Sequence, residues 1–174
     1  GSPTGAAGGQ PIGVAISIMP GRAVLGALGQ WAAGGDKNAV IISSGFAEEG
    51  GDSAAMQDEI VAIAKRTGMR ISGPNAEGFL SEVQKVAATF SPTVDVKPGH
   101  IPLVATTRRI AIVAQSGGIG FAIKHRAKAP GVAISYCVSA GNESALGAGE
   151  FPAFRGQDGP ADVILLVIRG SGNG

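Results

Sequence analysis

AVIISSGFAEEGGDSAAMQDEIVAIAKRTGMRISGP, residues 39–74, reads as a strand, a helix and a second strand. Ala39-Val40-Ile41-Ile42-Ser43 is a short apolar run of strand length. Asp52 or Ser53 can cap the helix, Met56, Ile60, Ile63 and Ala64 share one of its faces, and Gly68 closes it. Met69–Ser72 is extended again, and Gly73-Pro74 breaks it. Strands joined this way by a helix and short connections pair in parallel.

The same alternation extends outward. Ile12–Ile18, bounded by Pro11 and Pro20, reads as an earlier strand. Val24, Leu25, Leu28, Trp31 and Ala32 recur at helical spacing before Gly34-Gly35. Residues 75–108 are less regular, with a strand candidate at Ala87–Phe90 and prolines at 92, 98 and 102. The pattern then restarts with a strand at Arg109–Ala114, a tight turn at Ser116-Gly117-Gly118, a helix over 119–128 and a strand at Val132–Val138. A weak helix over 145–155 precedes Val163–Ile168, which is wholly apolar as a central parallel strand should be. The expected fold class is α/β, in parallel, Rossmann- and flavodoxin-like three-layer lobes. The expected division is a tail over 1–9, a lobe over 10–80, a connection over 81–108 and a second lobe over 109–174.

Composition narrows the function. Fourteen basic residues against 13 acidic give a net charge of +1, which lacks the basic surface that nucleic acid requires. No apolar run reaches the roughly 18 residues of a membrane-spanning helix. The 29 glycines and 10 prolines make up about 22% of the chain, yet 44% of residues are hydrophobic and mean hydropathy is +0.24, which excludes a charge-rich disordered polymer. One cysteine excludes an internal disulfide framework and points to the cytoplasm.

Glycine collects where strands end: Ser43-Ser44-Gly45-Phe46, Gly73-Pro74-Asn75-Ala76, Gln115-Ser116-Gly117-Gly118 and Ala140-Gly141-Asn142-Glu143. Ligands of open parallel sheets gather beyond those ends. At Ser116-Gly117-Gly118 the free N–H groups and dipole of a helix N-terminus offer a phosphate or carboxylate site, or simply an N-cap turn. The Walker pattern is absent, and nothing resembles a Ser-His-Asp arrangement. His125, in Lys124-His125-Arg126, reads as a solvated helix end, His100 as a loop residue and Cys137 as core; no metal site is expected. Glu48, Glu49 and Asp52 read as a solvated cluster before a helix.

Taken in order, ISSGFAEEG (42–50), RISGPNAEG (70–78), ATF (88–90), IAIVAQSGGIG (110–120), VSAGNESA (138–145) and VILLVIRGSGNG (163–174) resemble the NDP-forming acyl-CoA synthetases, the superfamily of the succinyl-CoA synthetase α subunit. The resemblance implies that residues 10–80 are the C-terminal half of a CoA-binding lobe, whose glycine-rich first turn belongs before Ile12, and that residues 109–174 begin a flavodoxin-like lobe. It implies CoA contacts at Pro20, Ser44, Gly45, Phe46, Gly73, Pro74, Asn75 and Ala76, and acyl-substrate contacts at Asn75, Asn142 and Glu143. Ser116, Gly117 and Gly118 would stabilise the phosphate of a phosphohistidine intermediate. CoA and ATP or GTP are the implied cofactors, the nucleotide being held mainly by an ATP-grasp lobe or β subunit. The implied partners are a small carboxylic acid and further chains of an oligomer.

The sequence departs from the family pattern in three places. The phosphorylated histidine belongs to a segment after the last strand, and neither His100 nor His125 matches it. Arg169 stands where the family commonly has Glu, and Ala76 where it often has Cys. The chain alone is therefore expected to show no synthetase turnover. The alternative reading is a non-catalytic CoA- or acyl-CoA-binding regulatory domain, as in the synthetase-like domains fused to protein acetyltransferases.

Overall fold

The computed structural model describes residues 13–94, 109–127, 132–151 and 161–170. His100 and the end of the expected 145–155 helix lie outside them; residues 145–151 are turns, without helix. The chain divides into two compact units, residues 1–76 with 142–147, and residues 77–141 with 148–174.

The first unit is built on β1 (Ala15–Ser17), β2 (Asn38–Ile41) and β3 (Arg70–Ser72), paired in parallel in that order. Helix α1 (Gly21–Ala33) joins β1 to β2, and a 3-10 turn at Ala47–Glu49 leads into α2 (Asp52–Thr67), which joins β2 to β3. The apolar spacing in α1 turns Val24, Ala27, Leu28 and Trp31 inward, and α2 contributes Ile60 and Ile63. They share one core with Ala15, Ala39, Ile41, Ile71 and Phe46. Burying a side chain such as Leu28 or Phe46, both at 0% exposure, contributes about 1.5–3 kcal/mol. Neither Asp52 nor Ser53 caps α2: Gly51 holds the N-cap position without a side-chain bond, and Asp52 opens the first turn, where its charge suits the dipole. Gly68 closes the helix in the left-handed conformation, as expected.

Among the described residues the second unit holds a five-stranded sheet in the order β5-β4-β7-β6-β8. Its strands are β4 (Gly78–Ser81), β5 (Val86–Thr89), β6 (Arg109–Ala114), β7 (Ala133–Ser139) and β8 (Val163–Val167), with α3 (Gly117–Ala127) between β6 and β7. β6 runs parallel to β7 and β8, whereas β4 pairs antiparallel with both β5 and β7. Residues 78–80, expected in the first lobe, and the start of the expected connection at 81 therefore supply a hairpin to the second sheet. The units divide between Ala76 and Glu77 instead of at residue 80. The core joins Leu80, Ile112, Phe121, Ile134 and Cys137. β8 is apolar as read, but among the described residues it occupies the sheet edge and pairs only with β6, leaving Val163, Leu165 and Leu166 exposed.

Candidate functional site

The C-terminal ends of the three strands of the first unit bring most of the expected CoA-contacting residues together. Ile42 N–H donates to Ser17 O at 2.9 Å, and the Ser17 and Ser43 hydroxyls meet at 3.2 Å, so the ends of β1 and β2 are joined. α1 starts tightly against the β2 loop, since a Cβ on Gly21 would lie 3.1 Å from Ser44 O and 3.3 Å from Gly45 O. The segment after β3 folds back over β2: Asn75 N–H donates to Ser43 O at 2.8 Å and Ala76 N–H to Ile41 O at 3.3 Å. Gly73 is required there, because its φ is +99° and a Cβ would fall 2.3 Å from Ile41 O. Pro20, Ser44 and Asn75 reach the surface and Gly45 does so in part, while Phe46, Gly73, Pro74 and Ala76 are buried. The Phe46 side chain supports the loop from the core.

Residues 142–147 lie along the free edge of β3. Asn142 N–H donates to Pro74 O at 2.8 Å, Ser144 N–H to Gly73 O at 3.1 Å and Leu146 N–H to Ile71 O at 3.2 Å. This strap places Asn142 in a polar cluster. Its amide nitrogen donates to Glu48 Oε2 and, at 3.0 Å, to Gln57 Oε1, and its amide oxygen accepts from Asn75 Nδ2 at 3.3 Å. Glu48 Oε1 also accepts from the N–H groups of Gly45 at 2.7 Å and Phe46 at 3.3 Å. Burial works to raise the Glu48 pKa, but the bonds from Asn142, Gly45 and Phe46 outweigh it and hold the carboxyl below its ordinary value. Asn75 and Glu143 both have positive φ, 57° and 56°. Glu48 and Gln57 were not legible as site residues: a charge in a pre-helix loop usually faces only solvent.

A separate cleft of about 340 Å³ in this unit lies beside α2 and the start of β3, lined by Val61, Lys65, Arg70, Ser144 and Leu146. It contains none of the residues expected to touch CoA.

In the second unit, the turn from β6 into α3 is clamped by Gln115. Its Nε2 donates to Gly170 O at 3.0 Å, and its Oε1 accepts from Arg169 N–H at 2.7 Å. Gly117 is crowded: a Cβ there would lie 2.2 Å from Glu77 Cβ, 2.5 Å from Glu77 Oε2 and 3.0 Å from Ser139 Oγ. Gly118 is more open, with only Glu77 Oε2 at 3.9 Å. Ser139 Oγ accepts from Glu77 N–H at 2.9 Å and Glu77 O accepts from Thr89 Oγ1 at 2.6 Å, which fixes the backbone carrying that carboxylate. The helix N-terminus expected to attract an anion thus already has a carboxylate beside it.

The cluster at the end of α3 is not wholly solvated. His125 and Arg126 are exposed, but Lys124 is buried and pairs with Glu82 at 3.5 Å. Cys137 is buried, and desolvation pushes its thiol up to about 12. Among the described residues no group of His, Cys, Asp and Glu could hold a metal ion, and no helix is long and apolar enough to cross a membrane.

Residues 107–174 match the family described as "Succinyl-CoA ligase like flavodoxin domain". The chain is 32% identical, over 94% of its length, to acetate–CoA ligase [ADP-forming] I of Archaeoglobus fulgidus, and covers 22% of that protein. The same identity and coverage hold for the α subunit of acetate–CoA ligase [ADP-forming] I of Pyrococcus furiosus, of which it covers 33%. It superposes with a TM-score of 0.80 and 30% identity on acetyl-coenzyme A synthetase 1 of Ca. Korarchaeum cryptofilum in complex with phosphate and ADP, over 95% of this chain and 33% of that one. The chain therefore spans between about a fifth and a third of the proteins it matches. On these motifs, this fold and these relatives, the chain is similar over nearly its whole length to the NDP-forming acyl-CoA synthetases, and its residues 107–174 match their flavodoxin-like domain.

Proposed function

We propose that this chain is the part of an NDP-forming acyl-CoA synthetase that presents the thiol arm of CoA to an acyl phosphate. The observation that carries this reading is the convergence of Ser44, Gly45 and Asn75 at one sheet end in the first unit, locked by Ser43, Glu48 and Asn142. The residues fit a thin, flexible ligand arm. The exposed groups are small and polar, and the tightly turned backbone beneath them is held by buried Pro74, Ala76 and Phe46.

In the proposed reaction an NTP phosphorylates a histidine, the phosphoryl group passes to a carboxylic acid, and CoA sulfur attacks the acyl carbon. The C–S bond forms as the C–O bond to phosphate breaks; phosphate leaves with the electron pair, and the thiol proton goes to solvent. Pro20, Ser44 and Asn75 orient the arm, so that attack is limited by chemistry and not by encounter. Asn142, bonded to Asn75, and Glu143, which follows it on the strap, are the proposed acyl-side residues. Ser116, Gly117 and Gly118 provide N–H groups for the transferring phosphate. Glu77 lies beside these glycines and opposes an anion at that place. The proposed nucleotide is ATP or GTP, held mainly by an ATP-grasp lobe or β subunit, and the unpaired Cys137 suits a cytoplasmic location.

A non-catalytic CoA-responsive module is the second reading, favoured by Arg169 in place of Glu and by Glu77 against Gly117. The experiment that separates them uses the protein carrying this segment, supplied with a carboxylic acid, CoA and ATP. A synthetase forms thioester, ADP and phosphate in equal amounts, and Asn75→Ala lowers thioester formation while histidine phosphorylation from ATP persists. CoA binding without thioester in the unaltered protein supports the regulatory reading.

A further inference from the structure

The polar cluster at the sheet end has a direction. Glu48 is acceptor-only when ionised, and one of its oxygens is already committed to the Gly45 and Phe46 N–H groups. Its other oxygen can face Asn142 only if Asn142 presents its NH2, as it does to both Glu48 and Gln57. Both amide hydrogens of Asn142 are then used, and its oxygen is left for Asn75. Asn75 must in turn present its NH2 to Asn142, which leaves its own oxygen for the surface. Asn75 is exposed and held at φ 57°, and its N–H is fixed to Ser43 O, so the side chain starts from a rigid backbone.

We propose that Glu48 is a positioning residue which, through Asn142, sets the amide of Asn75 to offer an acceptor to the amide N–H groups of CoA's pantetheine arm. This rests on the CoA-site reading above. It replaces the acyl-contact role of Asn142 with an inward one: the strap carries an orienting amide, Asn75 makes the ligand contact, and Glu143 alone is left on the acyl side. It also gives Glu48, a loop charge with no catalytic chemistry of its own, control over the polarity of the site.

Glu48→Gln tests the direction. The Gly45 and Phe46 N–H groups hold the Gln oxygen, so its NH2 faces Asn142 and turns that amide over. Asn75 then shows NH2 to the ligand. Adding Gln57→Glu restores an acceptor-only partner to Asn142 and turns the relay back. CoA is titrated at millimolar concentration into the isotopically labelled chain, and the side-chain amide signals of Asn75 and Asn142 are followed by NMR. The proposal expects E48Q to weaken CoA binding about three- to tenfold, the loss of one hydrogen bond, and E48Q/Q57E to recover it. In the unaltered chain it expects slowed exchange of both Asn142 amide protons and of one Asn75 proton. Equal CoA affinity in E48Q, or freely exchanging Asn142 amide protons in the unaltered chain, overturns the relay and leaves the CoA site standing. Absence of any CoA-induced shift in the unaltered chain overturns the CoA-site reading and the relay with it.

Discussion

Glu77 closes over Gly117: a Cβ on that glycine would fall 2.2 Å from Glu77 Cβ and 2.5 Å from its Oε2. The nearer contact is with an atom next to the backbone, which a rotamer change does not move. Gly117→Ala should therefore destabilise the second unit by about 1–3 kcal/mol, the usual cost of overpacking. Glu77→Ala should not relieve it, because alanine keeps Cβ, whereas Glu77→Gly should. A double-mutant cycle in urea followed by circular dichroism measures the difference.

The buried Lys124–Glu82 pair makes a second prediction. Their side chains are 5% and 9% exposed, so removing the ammonium takes the ion-pair partner away from a carboxylate in low dielectric. Lys124→Met should cost about 3–5 kcal/mol, and Lys124→Met with Glu82→Leu much less. Chemical denaturation of the three chains checks this.

How much of this was legible follows from the range of the interactions. The strands and helices show themselves through local periodicity, and β6 was read to its exact ends at Arg109 and Ala114. The membership of β4 in the second sheet depends on pairing Phe79 with Val138, and nothing near residue 79 signals it. Lys124 looks like a helix-end cation until Glu82 arrives from the β4–β5 turn. Asn75 was singled out from its loop, but Glu48 was not, because its partner Asn142 comes from a strap 94 residues away.

Glu48 also makes stability depend on pH. Its carboxyl lies below the ordinary value of 4.5 in the folded chain, so folding favours the ionised form. The stabilisation is complete above about 4.5 and is lost as pH falls through the lower folded value. The unfolding midpoint of the unaltered chain should drop in that window, and Glu48→Gln should flatten that part of the profile. Thermal unfolding as a function of pH reads it directly.

Cys137 should resist alkylation at neutral pH, since its thiol is buried and pushed up to about 12. Labelling with a thiol reagent should follow the unfolding transition in urea. Stoichiometric labelling of the native chain would contradict its placement in the core.

In the function proposed above, the strand ends of the first unit receive CoA. Hydrogen exchange of the chain with and without millimolar CoA tests it most directly. Added protection is expected at residues 43–46 and 73–76. Protection confined to other segments, or none at a concentration where CoA binding is independently detected, would contradict it.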